Sequence, residues 1–480
     1  MKDLLMRALD TAVKRGATYA DARYVSAEVQ GIMVKNGVVE AVRNYVSEGI
    51  GVRVIANGAW GFASSSRLNG KEMDNIAGAA VRIARASSAV IGKPANIGEP
   101  YKLVGSYTTP IQKDPFAVPL EEKVALLVSA SEGMRRAGKE ITVATASTEI
   151  ARTHKIFAST EGSYIEQTIY ETGCGIEATS VGNGDMQNRS YPNSVGMHEG
   201  TEGWDFVERY DLAGNAPRVG EQAVALLTAK SCPPGVTTVI LDGSQTALQV
   251  HESCGHPIEL DRVLGTEAAF AGMSFLTPDK LGTFRYGSDK VNITIDATIP
   301  GGLGTFGYDD EGVPAQRADV VRNGTFVGYL TSRETAAQMG QRSNGTSRAS
   351  GWNRIPIIRM TNVNLEPGAW KLADLIADTD DGIFMETNRS WSIDDKRLNF
   401  QFGTEIAWEI KNGKLGTMLK NATYTGMTPQ FWGSCDAVCN DNWIVWGTPN
   451  CGKGQPEQVG HVGHGAAPAR FRNIQIGLMK

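Results

Sequence analysis

Apolar positions at the start of the chain repeat at helical spacing. Leu5, Ala8, Leu9, Ala12 and Val13 share a face and Gly16 ends the run, which predicts an amphipathic helix. Short alternating runs follow, broken by Asn36-Gly37 and Asn57-Gly58, the strongest two-residue hairpin signal. A helical pattern returns over 71–89, and a stretch rich in Pro, Gly and Lys over 91–118 reads as a connector. Pro119 suits the first turn of a second helix. Strand patterns resume from Ile141 to Val181, so helix followed by hairpins is stated twice.

A helix over 221–230 is closed by Cys232-Pro233-Pro234-Gly235. Beyond it strand patterns dominate, with hairpins at Asn323-Gly324 and Asn412-Gly413. Only 332–340 and 369–379 look helical there, apart from one segment after the strand "TTVILD". The expected class is α+β. A helix-plus-hairpin α/β domain spans 1–220. A domain dominated by antiparallel sheet spans 221–480 and carries the motif described below.

Composition narrows this. Hydrophobic residues are 41% of the 480 and charged residues 21%, as in a folded protein with a real core. No run of about 18 apolar residues occurs, so no membrane span is expected. Charged residues from Asp3 to Arg15 interrupt any secretion signal. The net charge of -5, without a basic block, argues against a nucleic-acid partner. Six irregularly spaced cysteines argue against a disulfide framework and for a reducing cytoplasm.

The chemistry concentrates in "QVHESCGHP", residues 249–257. The zinc-protease pattern places histidines at i and i+4; here His251 and His256 are at i and i+5. On an ideal helix they point about 140° apart and cannot share an ion. Gly255 can leave helical dihedrals, Pro257 disfavours the α conformation at His256, and a π-bulge would align i with i+5. Asp242 and Ser244 are cap candidates for the helix. A catalytic zinc takes three protein ligands and a water. The ion lowers the pKa of that water to about 7, and Glu252 is placed to accept its proton. The third ligand stays open among Cys254, Cys435, Cys439, Cys451, His461 and His464. Cys435 and Cys439 read as ordinary buried thiols. His154 and the His198-Glu199 pair read as surface or core residues. Gly302–Gly307 matches G-x-G-x-x-G, but no helix pattern opens on it, as a dinucleotide site requires. It reads as a glycine loop near a cleft.

Several segments together resemble the TldD/PmbA family, also called the modulator of DNA gyrase group. They are the His251-Glu252-x-x-x-His256 segment with "ELDRVLGTEAAFAG", "IGVRVIANGAWGFASSS", "IFASTEGSYIEQ", "YDDEGVPAQRADVVRNGTFVGYLTSRETAAQMG" and "IPIIRMTNVNLEPG". The likeness runs over nearly the whole chain and is of the TldD type, which carries the zinc motif. It implies Cys451 of Cys451-Gly452-Lys453 as third ligand of Zn2+, with His251 and His256, and Glu252 as general base. It implies a zinc metallopeptidase acting on unfolded or short peptides inside a dimer cavity, with the substrate held like an added β-strand. The dimer would be a homodimer or a heterodimer with a PmbA (TldE)-like subunit. A fourth protein ligand such as His461 would instead mark a closed, structural site, in a non-catalytic peptide-binding or assembly subunit.

Overall fold

The structure is a computed structural model that describes residues 1–194 and 197–477. It opens with α1 (Lys2–Lys14), which buries Leu5, Ala8, Leu9 and Ala12. Val13 is half exposed. It sits about 80° around the helix from Leu5, beyond the buried stripe. Next come β1 (Tyr19–Lys35), β2 (Val38–Ala56) and β3 (Ala59–Ser65), joined at Asn36-Gly37 and Asn57-Gly58. All four turn residues have positive φ, as type I′ hairpins require. After α2 (Gly70–Ser87), the expected connector contains a strand, β4 (Val104–Thr108), which runs parallel to a later strand. Its short alternating side chains are half exposed, too weak a pattern to stand out from the surrounding Gly and Pro.

The sheet continues through α3 (Leu120–Arg135), β5 (Ile141–Ser159), β6 (Tyr164–Gly182), β7 (Asp185–Tyr191) and β8 (His198–Gly200). Strand order is β3-β2-β1-β5-β6-β4, with β7 and β8 also on β6. These long strands serve two separate cores. One end of β1 packs with α1 and α2. The other packs with α3 and with α5 (Leu212–Leu226), which follows the short α4 (Asp205–Tyr210). The helix expected from residue 221 thus begins earlier, and Pro217 lies inside it. Between the two cores β1 is only half covered, from Ser26 to Gln30.

The C-terminal half starts at β9 (Lys230–Ser231) and β10 (Gly235–Leu241). Strand β10 lies between strand 381–393, parallel to it, and strand 469–476, antiparallel. Pairing passes on to strands 423–427 and 399–411. The last of these pairs back with 381–393, so the strands close a ring, and a closed sheet has fewer exposed edges. The C-terminal residues of β10 are fully buried, and α6 (Gly243–Val250) springs directly from them. Its cap is Asp242, which accepts from the Gln245 backbone N–H at 2.8 Å; Ser244 instead donates to Asp242. A separate antiparallel pair, 444–453 with 458–466, packs across α6. Among the described residues no helix is long and apolar enough to cross a membrane.

Candidate metal centre

Helix α6 does not continue as an α-helix. From His251 to Gly255 it widens into a π turn. The His256 N–H donates to the His251 carbonyl at 3.1 Å, an i+5 bond between the two motif histidines. Their rings lie 4.9 Å apart, centroid to centroid. The other expected distortions are not used. His256 keeps right-handed helical dihedrals, φ -65° and ψ -42°, despite Pro257. Gly255 contributes space: a Cβ there would stand 2.3 Å from Met360 Sδ.

Neutral donors hold the widened turn. Ser253 Oγ donates to the Gln249 carbonyl and accepts from Trp432 Nε1 at 2.9 Å. Tyr286 OH donates to the Ser253 carbonyl at 2.9 Å. Tyr424 OH donates to Gln249 Oε1 at 3.0 Å. A wide turn leaves buried backbone groups that need partners, and these side chains supply them.

Cys451 reaches the same place from strand 444–453, just past a bulge between Thr448 and Cys451. One donor atom from each of His251, His256 and Cys451 lies within 4.8 Å of the others, and all three residues are buried. Cys451 Sγ is 3.7 Å from His256 Nε2. Two ligands on a tetrahedral zinc, with Zn–S about 2.3 Å and Zn–N about 2.05 Å, stand about 3.6 Å apart. The donor set and its spacing therefore fit zinc.

The far nitrogens fix the tautomers. His464 Nδ1 lies 3.1 Å from the Val363 carbonyl, which can only accept, so that nitrogen carries the proton. His464 Nε2 then accepts from His251 Nδ1 at 2.7 Å, and His251 Nε2 keeps its lone pair. His256 Nδ1 faces Glu259 Oε2 at 2.9 Å, which frees His256 Nε2 in the same way. Burial lowers the pKa of His251, His256 and His464, and the neutral imidazole is the ligating form. Burial alone would raise the Cys451 thiol; Arg359 and His256 more than offset it and bring it below its usual value. Arg359 also donates to the Cys451 carbonyl at 2.5 Å.

Beneath His256 lies a buried charged cluster. Lys453 and Glu259 are fully buried. Lys453 Nζ is 2.7 Å from Asp261 and 3.6 Å from both Glu259 and Glu267. Arg262 pairs with Glu267 at 3.1 Å. Cys451 and Lys453 are two apart on one strand, hence on one face: the thiol meets the histidines and the ammonium meets Glu259.

Glu252 is also buried and pairs with Arg397 Nη1 at 2.7 Å. Arg397 holds φ +65° in the turn between strands 381–393 and 399–411. Glu252, Arg397 and the three donors line one cavity of about 410 Å³. Its wall includes Asn388 and Trp446, and the Asn388 Oδ1 and Trp446 Nε1 atoms are buried without a partner among the described residues.

The remaining candidates go elsewhere. His464 backs His251. His461 pairs with Glu171 at 3.1 Å and lines a different cavity. Cys254, Cys435 and Cys439 are buried free thiols, each pushed up to about 12 by burial. His154 pairs with Glu166 near the surface. His198 is buried against Phe206, Tyr210 and Trp446 and accepts from the Gly447 N–H. No helix opens on Gly302–Gly307; the loop packs tightly, with a Cβ on Gly304 only 2.2 Å from Thr361 backbone. Reading the sequence missed Glu259, Lys453 and Arg397, and offered His464 as a donor to the ion rather than as the partner of His251. An acid three residues after His256 and a Lys two after Cys451 were signals; for Arg397 there was none.

A three-donor centre with a carboxylate beside it, set in a cavity on a mixed α+β frame, is the build of a metal-dependent hydrolase. Models of the PmbA/TldA metallopeptidase domains match most of this chain: domain 1 over 20–84, the central domain over 113–230 and the C-terminal domain over 234–477. The chain belongs to the PmbA/TldD metallopeptidase family. It is similar to a metalloprotease of Methanocaldococcus jannaschii, 33% identical over 93% of this chain and 94% of that one. It is 22% identical to a zinc metalloprotease TldD homolog of Saccharolobus solfataricus, over 98% and 99% of the two chains. Its fold matches TldE from Thermococcus kodakarensis with a TM-score of 0.76, at 14% identity, over 99% of this chain and 100% of that one.

Proposed function

We propose that this chain is a zinc-dependent peptidase that hydrolyses unfolded or short peptides, with His251, His256 and Cys451 as ligands and Glu252 as general base. The observation that carries the reading is the convergence of three donor atoms within 4.8 Å in the cavity that holds Glu252. A bound zinc supplies a Lewis acid that polarises a carbonyl and makes water a nucleophile near neutral pH. Glu252 takes a proton from the attacking water and passes it to the departing amine nitrogen. Arg397 holds that carboxylate toward the cavity. The bare Asn388 Oδ1 and Trp446 Nε1 complement the N–H and C=O of a peptide group. Among the described residues the cluster has three members, the number of protein ligands a catalytic zinc takes.

The proposal extends to location and assembly. A cytoplasmic site agrees with six free cysteines. A homodimer, or a heterodimer with a TldE-like subunit, agrees with the shared fold and is read from the mass of the native complex. The central test is metal content and peptide hydrolysis of the purified protein, with and without chelator. Glu252→Gln is expected to keep the zinc and lose about 10²- to 10⁴-fold in kcat. Unchanged turnover in that variant removes Glu252 from the mechanism.

A further inference from the structure

A second cavity, of about 380 Å³, lies across the 444–466 hairpin from the metal centre. Cys451 lines the first cavity; Gly460, its cross-strand partner, lines the second. The floor is the middle of the N-terminal sheet, including Val25, Val29 and Ile169. Phe306 and Trp352 form apolar walls. The volume falls within the usual range for small-ligand sites.

The charges around it do not balance. Lys155 pairs with Asp310 at 2.7 Å, His461 with Glu171 at 3.1 Å, and Glu149 with Arg43 at 3.3 Å. Arg348 and Arg359 also line the cavity, and neither has a carboxylate partner among the described residues. Arg348 Nη2 donates to the Met360 and His461 carbonyls. Arg359 donates to the Gln458 and Cys451 carbonyls. The Nε atoms of both are buried without a partner. Burial, with Arg359 close by, lowers Arg348 to about 10, and the negative charges of Asp310, Glu171 and Cys451 offset only part of this. A guanidinium taken out of water without a directly paired anion is unfavourable, and its planar fork matches a carboxylate.

We infer that this cavity is a binding site for a carboxylate carried on an apolar body, the chemistry of the free C-terminus of a short peptide ending in an apolar residue. The carboxylate sits against the Arg348 guanidinium, and the side chain lies between Phe306, Trp352 and the sheet floor. Binding here needs no turnover, so the inference stands or falls apart from the peptidase reading.

Calorimetric titration of the full-length metal-loaded protein tests it, with N-acetyl-Leu-Phe as the free acid, the same dipeptide as its amide, and inorganic phosphate. The acid is expected to bind at least tenfold tighter than the amide and tighter than phosphate. Arg348→Met is expected to abolish binding of the acid. Ala151→Phe, which fills the cavity from β5 and leaves both arginines in place, is expected to do the same, and covers the case of Arg348→Met failing to fold. His251→Ala is expected to leave binding intact. Equal binding of acid and amide overturns the inference. So does preference for phosphate, full binding in either cavity variant, or loss of binding in His251→Ala, which would put the ligand at the metal centre.

Discussion

The two histidines of the metal centre rest on opposite kinds of support. His251 leans on an uncharged chain, His464 and the Val363 carbonyl, and on the neutral network that holds the π turn. His256 leans on a charged cluster of the buried Glu259, Lys453, Arg262 and Glu267 with the partly exposed Asp261 at its edge. The neutral side orients by hydrogen bonds whose loss leaves no stranded charge. The charged side is held by mutual compensation, so removing any one member exposes the others to a desolvation penalty. The two histidines thus look alike in sequence and differ in how far their surroundings tolerate change.

This contrast can be broken most sharply at Lys453. Lys453→Met strands Glu259 and its acidic neighbours, and is expected to lower unfolding stability by about 3–5 kcal/mol, read by urea denaturation. A loss below about 1 kcal/mol would mean the cluster is not held by compensation. Glu259→Gln keeps the shape but removes the charge behind His256. Zinc affinity, measured by competition with a chromogenic chelator, is expected to fall about 10- to 100-fold. His464→Gln probes the neutral side, and its loss of affinity is expected at or below about tenfold, the low end of that range. Equal losses for Glu259→Gln and His464→Gln would erase the distinction.

The smallest effect concerns pH. Burial and the nearby Glu259 raise Glu267 from 4.5 to about 7. The folded protein holds this proton where the unfolded chain has released it, so stability falls as pH rises through that window. The contribution is complete below about pH 4.5 and lost by about pH 7. Glu267→Gln is expected to flatten the thermal-melt profile over that interval and to leave zinc affinity nearly unchanged.

Much of the frame was legible along the chain. The Asn-Gly pairs marked their hairpins because two consecutive positive-φ residues leave few alternatives. The Asp242 cap and the β10-to-α6 transition were local as well. The short β4 and the early start of α5 were not, because one is stabilised by pairing with distant β6 and the other runs through a proline. At the candidate site, His251, Glu252 and His256 stood out by type and spacing, and they share one cavity in the fold. Spacing left Cys451 among six candidates; the resemblance of its segment to a known family singled it out.

Local sequence thus determined which residues could carry metal chemistry, since a donor's identity is covalent and a turn's dihedrals are set by its own few residues. Tertiary structure decided how those donors meet. The π turn was one of three possible distortions, selected by Tyr286, Trp432 and Tyr424, which arrive from far along the chain to satisfy its backbone and side chains. The separate duties of His461 and His464, three residues apart, follow from a strand placing them on opposite sides of one thin partition, with a different cavity or ligand waiting on each. Buried charge and hydrogen-bond demand are balanced only once distant segments pack, and no window of sequence contains both sides of that balance.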